Sequence, residues 1–118
     1  NMRHLVKGIC DVHGISYEVS YKTTCPVTFN ESKQAESATK AAMTLLGEEN
    51  SNGDCEPRLF SEDFSILSAA KPGCFVLMGN GTSGSHARPL HASNYDFNDE
   101  LLVIGSSYWA ALAEQQLK

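Results

Sequence analysis

Apolar side chains recur every three to four positions along three parts of the chain, which is the spacing of one face of an α-helix. The first part predicts a helix over residues 2–13 that Gly14 ends. The second predicts a helix over about residues 31–46, with Asn30 as its N-terminal cap. The third begins near residue 98 and has one apolar face, formed by Leu101, Ile104, Gly105, Tyr108, Trp109 and Leu112.

Two other segments have the pattern of β-strands. Residues 15–22 alternate apolar and polar side chains, as expected of a strand with one buried face and one face in solvent. Residues 74–78 are apolar without interruption and lie between turn-forming residues, which is typical of a central strand covered on both faces. Helices and strands mixed in this order predict an α+β or α/β fold.

A short polar segment precedes a further predicted helix. Ser61 has the chemistry of an N-terminal cap, and Glu62 and Asp63 would lie in the first turn, where the helix dipole favours negative charge. The same two carboxylates could instead serve as an acid and a base, since paired acids in a cleft can move protons. Helix capping is the simpler explanation, and the sequence leaves both open.

The charge of the chain excludes several functions. The 118 residues carry a net charge of −5 without a cluster of lysines and arginines, so we expect no nucleic-acid or anionic-membrane surface. No segment reaches the roughly 18 to 20 apolar residues that cross a bilayer, and the N-terminus lacks a secretion signal. The four cysteines have no metal-binding spacing and are expected to be free thiols. We therefore expect a cytoplasmic protein.

Residues 79–84 read Gly-Asn-Gly-Thr-Ser-Gly, the literal form of a dinucleotide-binding motif. That motif binds a pyrophosphate only where a helix follows at once and an acidic residue comes about 20 positions later. Here an irregular segment containing Pro89 follows, so a turn is the better interpretation. Nucleotide binding remains a third hypothesis, which is removed if no nucleotide shifts the melting temperature.

His86 and His91 lie in the irregular segment that follows the glycines. Their spacing defines no common face of a helix or strand. A single histidine in a loop is more often a solvated side chain than a ligand, and one imidazole does not hold a divalent ion tightly. Their own chemistry therefore does not distinguish the two histidines.

Three motifs follow one another in the second half of the chain. They are Ser61-Glu62-Asp63-Phe64-Ser65, then Pro72-Gly73-Cys74-Phe75, then Leu90-His91 followed by Tyr95-Asp96-Phe97-Asn98-Asp99. In order and spacing they resemble the C-terminal part of the metal-dependent amidohydrolases, which include hippurate hydrolases, N-acyl-amino-acid amidohydrolases and auxin-conjugate hydrolases and are related to aminoacylases and glutamate carboxypeptidases. Residues 25–31 resemble the end of the lid domain in that family, so the resemblance covers essentially the whole chain.

The resemblance implies a catalytic domain that binds two divalent metal ions (Zn, Mn, Co or Ni) and an inserted ferredoxin-like lid that often forms a dimer. Residues 1–25 would be the last helix and strand of the lid, and residues 26–118 the C-terminal α/β part of the catalytic domain. A histidine matching His91 is a metal ligand in the family. The other ligands and the general-base glutamate come from segments that we do not find in this chain.

The resemblance also gives the acidic residues a possible place near the active site. The start of the helix with Glu62 and Asp63 could face the active site, and Asp96 could orient His91 as a hydrogen-bond partner. Asp96 is otherwise explained as a turn or cap residue. Three positions depart from the family pattern, namely Phe60 for a common glycine, Cys25 for a proline and Ala92-Ser93 for Ser-Pro. Phe60 matters most, because a large side chain near the cleft could reshape an acyl pocket.

Two functional hypotheses remain beside nucleotide binding. The first is the C-terminal portion of an amidohydrolase of N-acyl amino acids, inactive and without bound metal when alone. Its partner would be the missing N-terminal part of the catalytic domain, and a homodimer through the lid or exposed apolar surface is possible. The second is a stand-alone binding or assembly module that keeps part of the fold without its chemistry. A monodisperse, cooperatively unfolding monomer would favour this second hypothesis.

Overall fold

The computed structural model describes residues 1–118 and contains four α-helices and two short 3₁₀ turns. In chain order these are α1 (Met2–His13), α2 (Ser32–Leu46), a 3₁₀ turn (Glu48–Asn50), α3 (Phe64–Ala70), a second 3₁₀ turn (Gly84–Ala87) and α4 (Leu101–Gln116). None of the helices is long and apolar enough to span a membrane.

Helix α1 has the predicted bounds and the predicted end. Gly14 lies in the left-handed region with φ 62°, and its N–H bonds to the carbonyls of the last turn. The apolar face is nevertheless exposed, with Leu5 63% and Val12 81% accessible. No other helix contacts α1. A single side-chain hydrogen bond, from Arg3 Nη2 to the carbonyl of Tyr21 at 3.3 Å, ties α1 to the segment that follows it.

The packed part of the molecule lies between α2 and α4. Ala38 and Ala41 on α2 and Tyr108 on α4 are buried, and the small alanines leave room for the tyrosine ring. The Tyr108 hydroxyl donates to the carbonyl of Ala38 at 3.3 Å. The predicted face of α4 is confirmed, with one exception: Trp109 is 65% exposed.

A polar clamp joins the end of α4 to the first half of α2. The side-chain amide of Gln115 donates to the Ser37 carbonyl at 3.0 Å and to the Ser37 hydroxyl at 2.8 Å. Gln116 donates to the same hydroxyl at 2.6 Å. These bonds fix the relative position of two helices that are far apart in sequence.

The predicted caps of α2 and α3 were wrong. Glu31, not Asn30, caps α2, because its carboxylate accepts the amides of Lys33 at 3.0 Å and Gln34 at 3.2 Å. At the start of α3 the cap position belongs to Asp63 rather than Ser61, and no side chain caps the amides there.

Neither predicted strand is paired in this chain. Residues 16–22 make no backbone–backbone hydrogen bond, and residues 74–78 make none within a sheet. The second segment is held instead by the Asn30 side chain, which donates to the Phe75 carbonyl at 3.0 Å and accepts its amide at 2.7 Å. A strand needs a neighbour to form a ladder, so the α+β or α/β class stays a prediction.

The molecule is extended for its length. Its radius of gyration is 20.1 Å, against roughly 13 to 14 Å for a compact domain of this size. Only 4 of 118 residues are buried, so most of the large apolar side chains lie at least partly on the surface.

Candidate functional site

His91 occupies a turn with an unusual backbone conformation. It is the only non-glycine residue with positive φ, at 69°. The Ala92 amide donates to the Pro89 carbonyl at 3.2 Å, which closes a four-residue turn with His91 at its third position. Side chains with a Cβ rarely adopt this conformation, and such residues concentrate at functional sites. The His91 side chain is exposed.

A second bond closes the loop around this turn. Arg88 Nη1 donates to the carbonyl of Asn94 at 2.6 Å, across the residues that include His91. The Tyr95 amide then donates to the carbonyl of Ala92 at 3.0 Å. The exposed imidazole is therefore carried by a backbone with several internal hydrogen bonds.

The base of the loop is joined by one side-chain amide. Asn80 Nδ2 donates to the carbonyls of His86 at 2.9 Å and Asp96 at 2.8 Å. Asn80 Oδ1 accepts the Asn98 amide at 2.9 Å. His86 is half-buried against this junction, with its Nδ1 3.3 Å from the Asp96 carbonyl oxygen. The structure thus separates the two histidines: His86 belongs to the loop base, and His91 faces solvent.

The glycine-rich motif has a structural explanation in this junction. Gly81 has φ 147°, and a Cβ there would lie 2.9 Å from the Cβ of His86. Gly84 has φ 60° and starts a 3₁₀ turn of only four residues. No α-helix follows the motif until α4, so the arrangement that places a pyrophosphate on a helix N-terminus is not formed.

The three predicted acidic residues do not join His91. Glu62 is half-buried and precedes α3, where its backbone carbonyl accepts the hydroxyl of the buried Ser65 at 2.6 Å. Asp63 and Asp96 are exposed, and Asp96 uses its backbone carbonyl rather than its carboxylate at the junction with Asn80. No salt bridge or hydrogen bond links any of these carboxylates to His91.

The chain by itself does not assemble a metal site. No three His, Cys, Asp or Glu side chains are grouped so that they could hold a metal ion. A surface depression beside the loop base is lined by His86, Asp96 and residues 97–100, and it does not include His91. Because one imidazole gives too few donors, no metal-assisted step can be derived from these residues alone.

Burial changes the acidity of two groups between α2, α4 and the apolar segment 74–78. Burial raises the pKa of the Cys74 thiol. Burial also raises the pKa of Tyr108, and the nearby Cys74 charge adds to that rise. Both groups are therefore neutral at ordinary pH and contribute to packing rather than to proton transfer.

The chain is similar in sequence to a known protein family. The sequence matches the peptidase family M20/M25/M40 over residues 3–115, and the chain belongs to that family. Enzymes of the family typically depend on divalent metal ions, and the match includes His91 and the loop that carries it. The predicted family resemblance is confirmed.

The chain spans less than a third of the length of the curated relatives named below. The hippurate hydrolase of Campylobacter jejuni is 32% identical over 114 residues, which are 97% of this chain and 29% of the relative. Thermostable carboxypeptidase 2 of Saccharolobus solfataricus is 28% identical over 95% of this chain and 28% of its own length. The N-acetylcysteine deacetylase of Bacillus subtilis is 31% identical over 96% of this chain and 28% of its own length. No solved structure matches.

The sequence interpretation missed the residues that shape the His91 loop. The sequence pattern assigns Asn80 and Gly81 only to a nucleotide-like motif and Asn30 only to a helix cap. A signal was present for Asn80, because a half-buried asparagine after an apolar run needs hydrogen-bond partners. The partners themselves could not be identified from the sequence, and neither could the bond of Asn30 to Phe75, which is 45 residues away.

Proposed function

We propose that the chain is the C-terminal portion of a metal-dependent amidohydrolase that cleaves the amide bond of N-acyl amino acids or related amides. The observation that carries this proposal is the family match over residues 3–115. The names of two relatives, hippurate hydrolase and N-acetylcysteine deacetylase, describe the removal of an acyl group from an amino acid. The coverage of 29% of the first relative supports a function that needs further segments.

In this proposal His91 is one ligand of a divalent metal site. Its support is twofold: it lies in the third family-like motif, and it is exposed on a turn in a strained backbone conformation. Zn, Mn, Co or Ni would be bound only when ligands from outside this chain complete the site. The metal, when bound, supplies Lewis-acid chemistry to the amide carbonyl. His91 would contribute one imidazole nitrogen to that metal site.

In this proposal, the three acidic residues Glu62, Asp63 and Asp96 have supporting roles near the active site. Glu62 and Asp63 would approach the active site through the N-terminal end of α3, and Asp96 would orient His91. We assign none of them the general-base role, which belongs to a glutamate outside this chain. The neighbouring Phe60 is 53% exposed and is available to line an acyl pocket.

The division at about residue 25 is also proposed. Helix α1 and residues 15–22 would be the end of the lid, and residues 26–118 part of the catalytic domain with its α/β fold. The isolation of α1 from every other helix supports this division. The partners would be the rest of the catalytic domain and a second copy through the lid, and the four free cysteines support a cytoplasmic location.

The first test is an amidase assay of this chain with hippurate and N-acetylcysteine, in the presence of manganese or zinc. We expect no turnover, because the ligand set is incomplete. Clear turnover by the chain alone would overturn the proposal that it needs further segments.

The second test supplies those segments. A chimera in which this chain replaces the matching 29% of the Campylobacter jejuni hippurate hydrolase should bind metal and hydrolyse hippurate. His91→Ala should lower both its metal content and its activity by a large factor, whereas His86→Ala, the matched control five positions away, should keep its metal. Loss of metal in the His86 variant but not in the His91 variant would refute the ligand assignment.

One structural feature favours a second candidate function, a stand-alone non-catalytic binding or assembly module. The apolar face of α1 is uncovered, and exposed faces of this kind are typical of association surfaces. Sedimentation of the chain over a range of concentrations tests it. Concentration-dependent association fits both functions. A monodisperse monomer that unfolds cooperatively favours a stand-alone module, and aggregation relieved by the missing N-terminal part favours the amidohydrolase.

A further inference from the structure

We propose that Asn80 is a positioning residue for His91, a proposal that rests on the metal-ligand role given to His91 above. The side-chain amide of Asn80 joins the two ends of the loop formed by residues 81–98 and thereby fixes the turn that presents the imidazole. The glycines around Asn80 then serve this junction rather than a phosphate.

Asn80 makes three of the hydrogen bonds that hold the loop of residues 81–98 together. One carboxamide reaches three separate backbone groups: the His86 carbonyl at 2.9 Å, the Asp96 carbonyl at 2.8 Å and the Asn98 amide at 2.9 Å. The last two groups lie on the far side of the turn that carries His91. Both donor hydrogens and the acceptor of the amide are used, so no other side chain of similar size replaces it.

The backbone comes close to itself at the start of the loop because residue 81 is a glycine. The backbone at Gly81 lies against His86, where a Cβ would come within 2.9 Å of the His86 Cβ. Because Gly81 has no side chain, the backbone can pass close to His86 at the start of the loop. Inside the loop, the Arg88 bond to the Asn94 carbonyl closes a smaller ring that contains His91. The turn that carries the imidazole therefore lies within two hydrogen-bonded rings, and Asn80 closes the larger one.

A matched control exists elsewhere in the chain. Asn30 also uses both ends of its carboxamide to bridge distant backbone, binding the carbonyl and the amide of Phe75 at 3.0 and 2.7 Å. It belongs to a different junction, between the start of α2 and the apolar segment. Loss of Asn30 therefore measures the general effect of losing such a bridge, without acting on the His91 loop.

The test uses the full chain, without metal or substrate, and three variants: Asn80→Ala, Asn80→Asp and Asn30→Ala. The readouts are the strong intraresidue amide–Hα nuclear Overhauser effect that marks the positive φ of His91, and hydrogen exchange at the Ala92 amide. Helical circular dichroism checks that α2 and α4 remain folded. A merely structural role of Asn80 in overall stability would leave the His91 φ signature unchanged in molecules that are still folded.

We expect Asn80→Ala to lose the His91 signature and to speed exchange at Ala92 about tenfold or more, since three hydrogen bonds are removed. Asn80→Asp keeps the acceptor for the Asn98 amide but loses both donors, so it should retain protection at Asn98 while His91 averages over several conformations. Asn30→Ala should leave His91 unchanged. If Asn80→Ala unfolds the chain, Asn80→Asp decides.

Two results would overturn the proposal. One is an unchanged His91 signature in both folded Asn80 variants. The other is equal disturbance of His91 by Asn30→Ala, which would make the effect general. Because these measurements involve no metal, they are independent of the ligand role: Asn80 can hold the turn even if the His91 variant of the chimera keeps its metal, and that result would refute the proposed function alone.

Discussion

The left-handed backbone at His91 predicts an unusual response to glycine. Glycine normally destabilises a folded chain by about 0.5–1 kcal/mol, because it gains conformational freedom in the unfolded state. At a φ of 69°, however, a residue with a Cβ carries a cost of about 1–2 kcal/mol in the folded state. The second cost is the larger, so we expect His91→Gly to stabilise the turn by about 0.5–1 kcal/mol relative to His91→Ala. Both variants lose the imidazole, so their difference isolates the backbone.

Hydrogen exchange at the Ala92 amide measures this difference locally. That amide donates to the Pro89 carbonyl and is protected only while the turn is closed. After correction for intrinsic rates, exchange should be about two- to fivefold slower in His91→Gly than in His91→Ala. Ser93→Gly is the matched control, since Ser93 lies in the same loop and has no positive φ. There glycine should speed exchange.

Equal or faster exchange in His91→Gly would refute the reasoning, because it would mean that the turn stores no strain at His91. The same outcome would weaken the case for His91 as a functional residue. The strain is one of only two independent reasons to single it out, and the other is its place in the family motif.

Three further predictions concern a helix cap, a close backbone approach and a half-buried thiol. Glu31→Ala removes the acceptor of the first amides of α2 and should destabilise that helix by about 1 kcal/mol, seen as earlier thermal loss of helical circular dichroism; no change would contradict the capping role. Gly81→Ala adds a Cβ that meets the Cβ of His86 and should cost about 1–3 kcal/mol, seen as shifted amide resonances throughout the loop. Burial raises the pKa of Cys74, so the unfolded state ionises first, stability falls as pH rises above about 8.5, and Cys74→Ala should flatten that fall. In the native chain at pH 8, the half-buried Cys74 should also react with iodoacetamide more slowly than the exposed Cys55, and equal rates would contradict this partial protection.

Helix positions could be predicted because helical spacing is a local property. The apolar repeats located α1, α2 and α4 to within a few residues, and Gly14 ends α1 as expected. The cap of α2 could not be predicted in the same way. The side chains of Asn30 and Glu31 can both accept the first amides of a helix. Which of them caps α2 depends on Phe75, because the Asn30 side chain is hydrogen-bonded to the Phe75 backbone, 45 residues away.

In the candidate site, too, local sequence features could be predicted and long-range contacts could not. The family motif indicated His91, but nothing in the sequence distinguished the environments of His86 and His91. Their difference arises from bonds that span the loop, chiefly those of Asn80, and from a backbone angle that no motif encodes. In this chain only the backbone carbonyl of Asp96 is hydrogen-bonded, so the side-chain role of Asp96 near His91 stays a prediction.

Residues 15–22 have the pattern of a strand but no neighbouring strand, and His91 has no neighbouring metal ligands. Both features suggest that segments outside this chain complete the structure. Ile15, Tyr17 and Tyr21 are exposed and only Val19 is half-buried, so packing within this chain does not explain an alternating apolar face. Under the proposed function, neighbouring strands and metal ligands both come from segments outside it. The two features should then respond together. Adding the missing segments should protect the amides of residues 16–22 from exchange in the same preparation in which His91 becomes competent to bind metal. Metal binding without that protection would contradict the assignment of residues 15–22 to a paired strand of the lid.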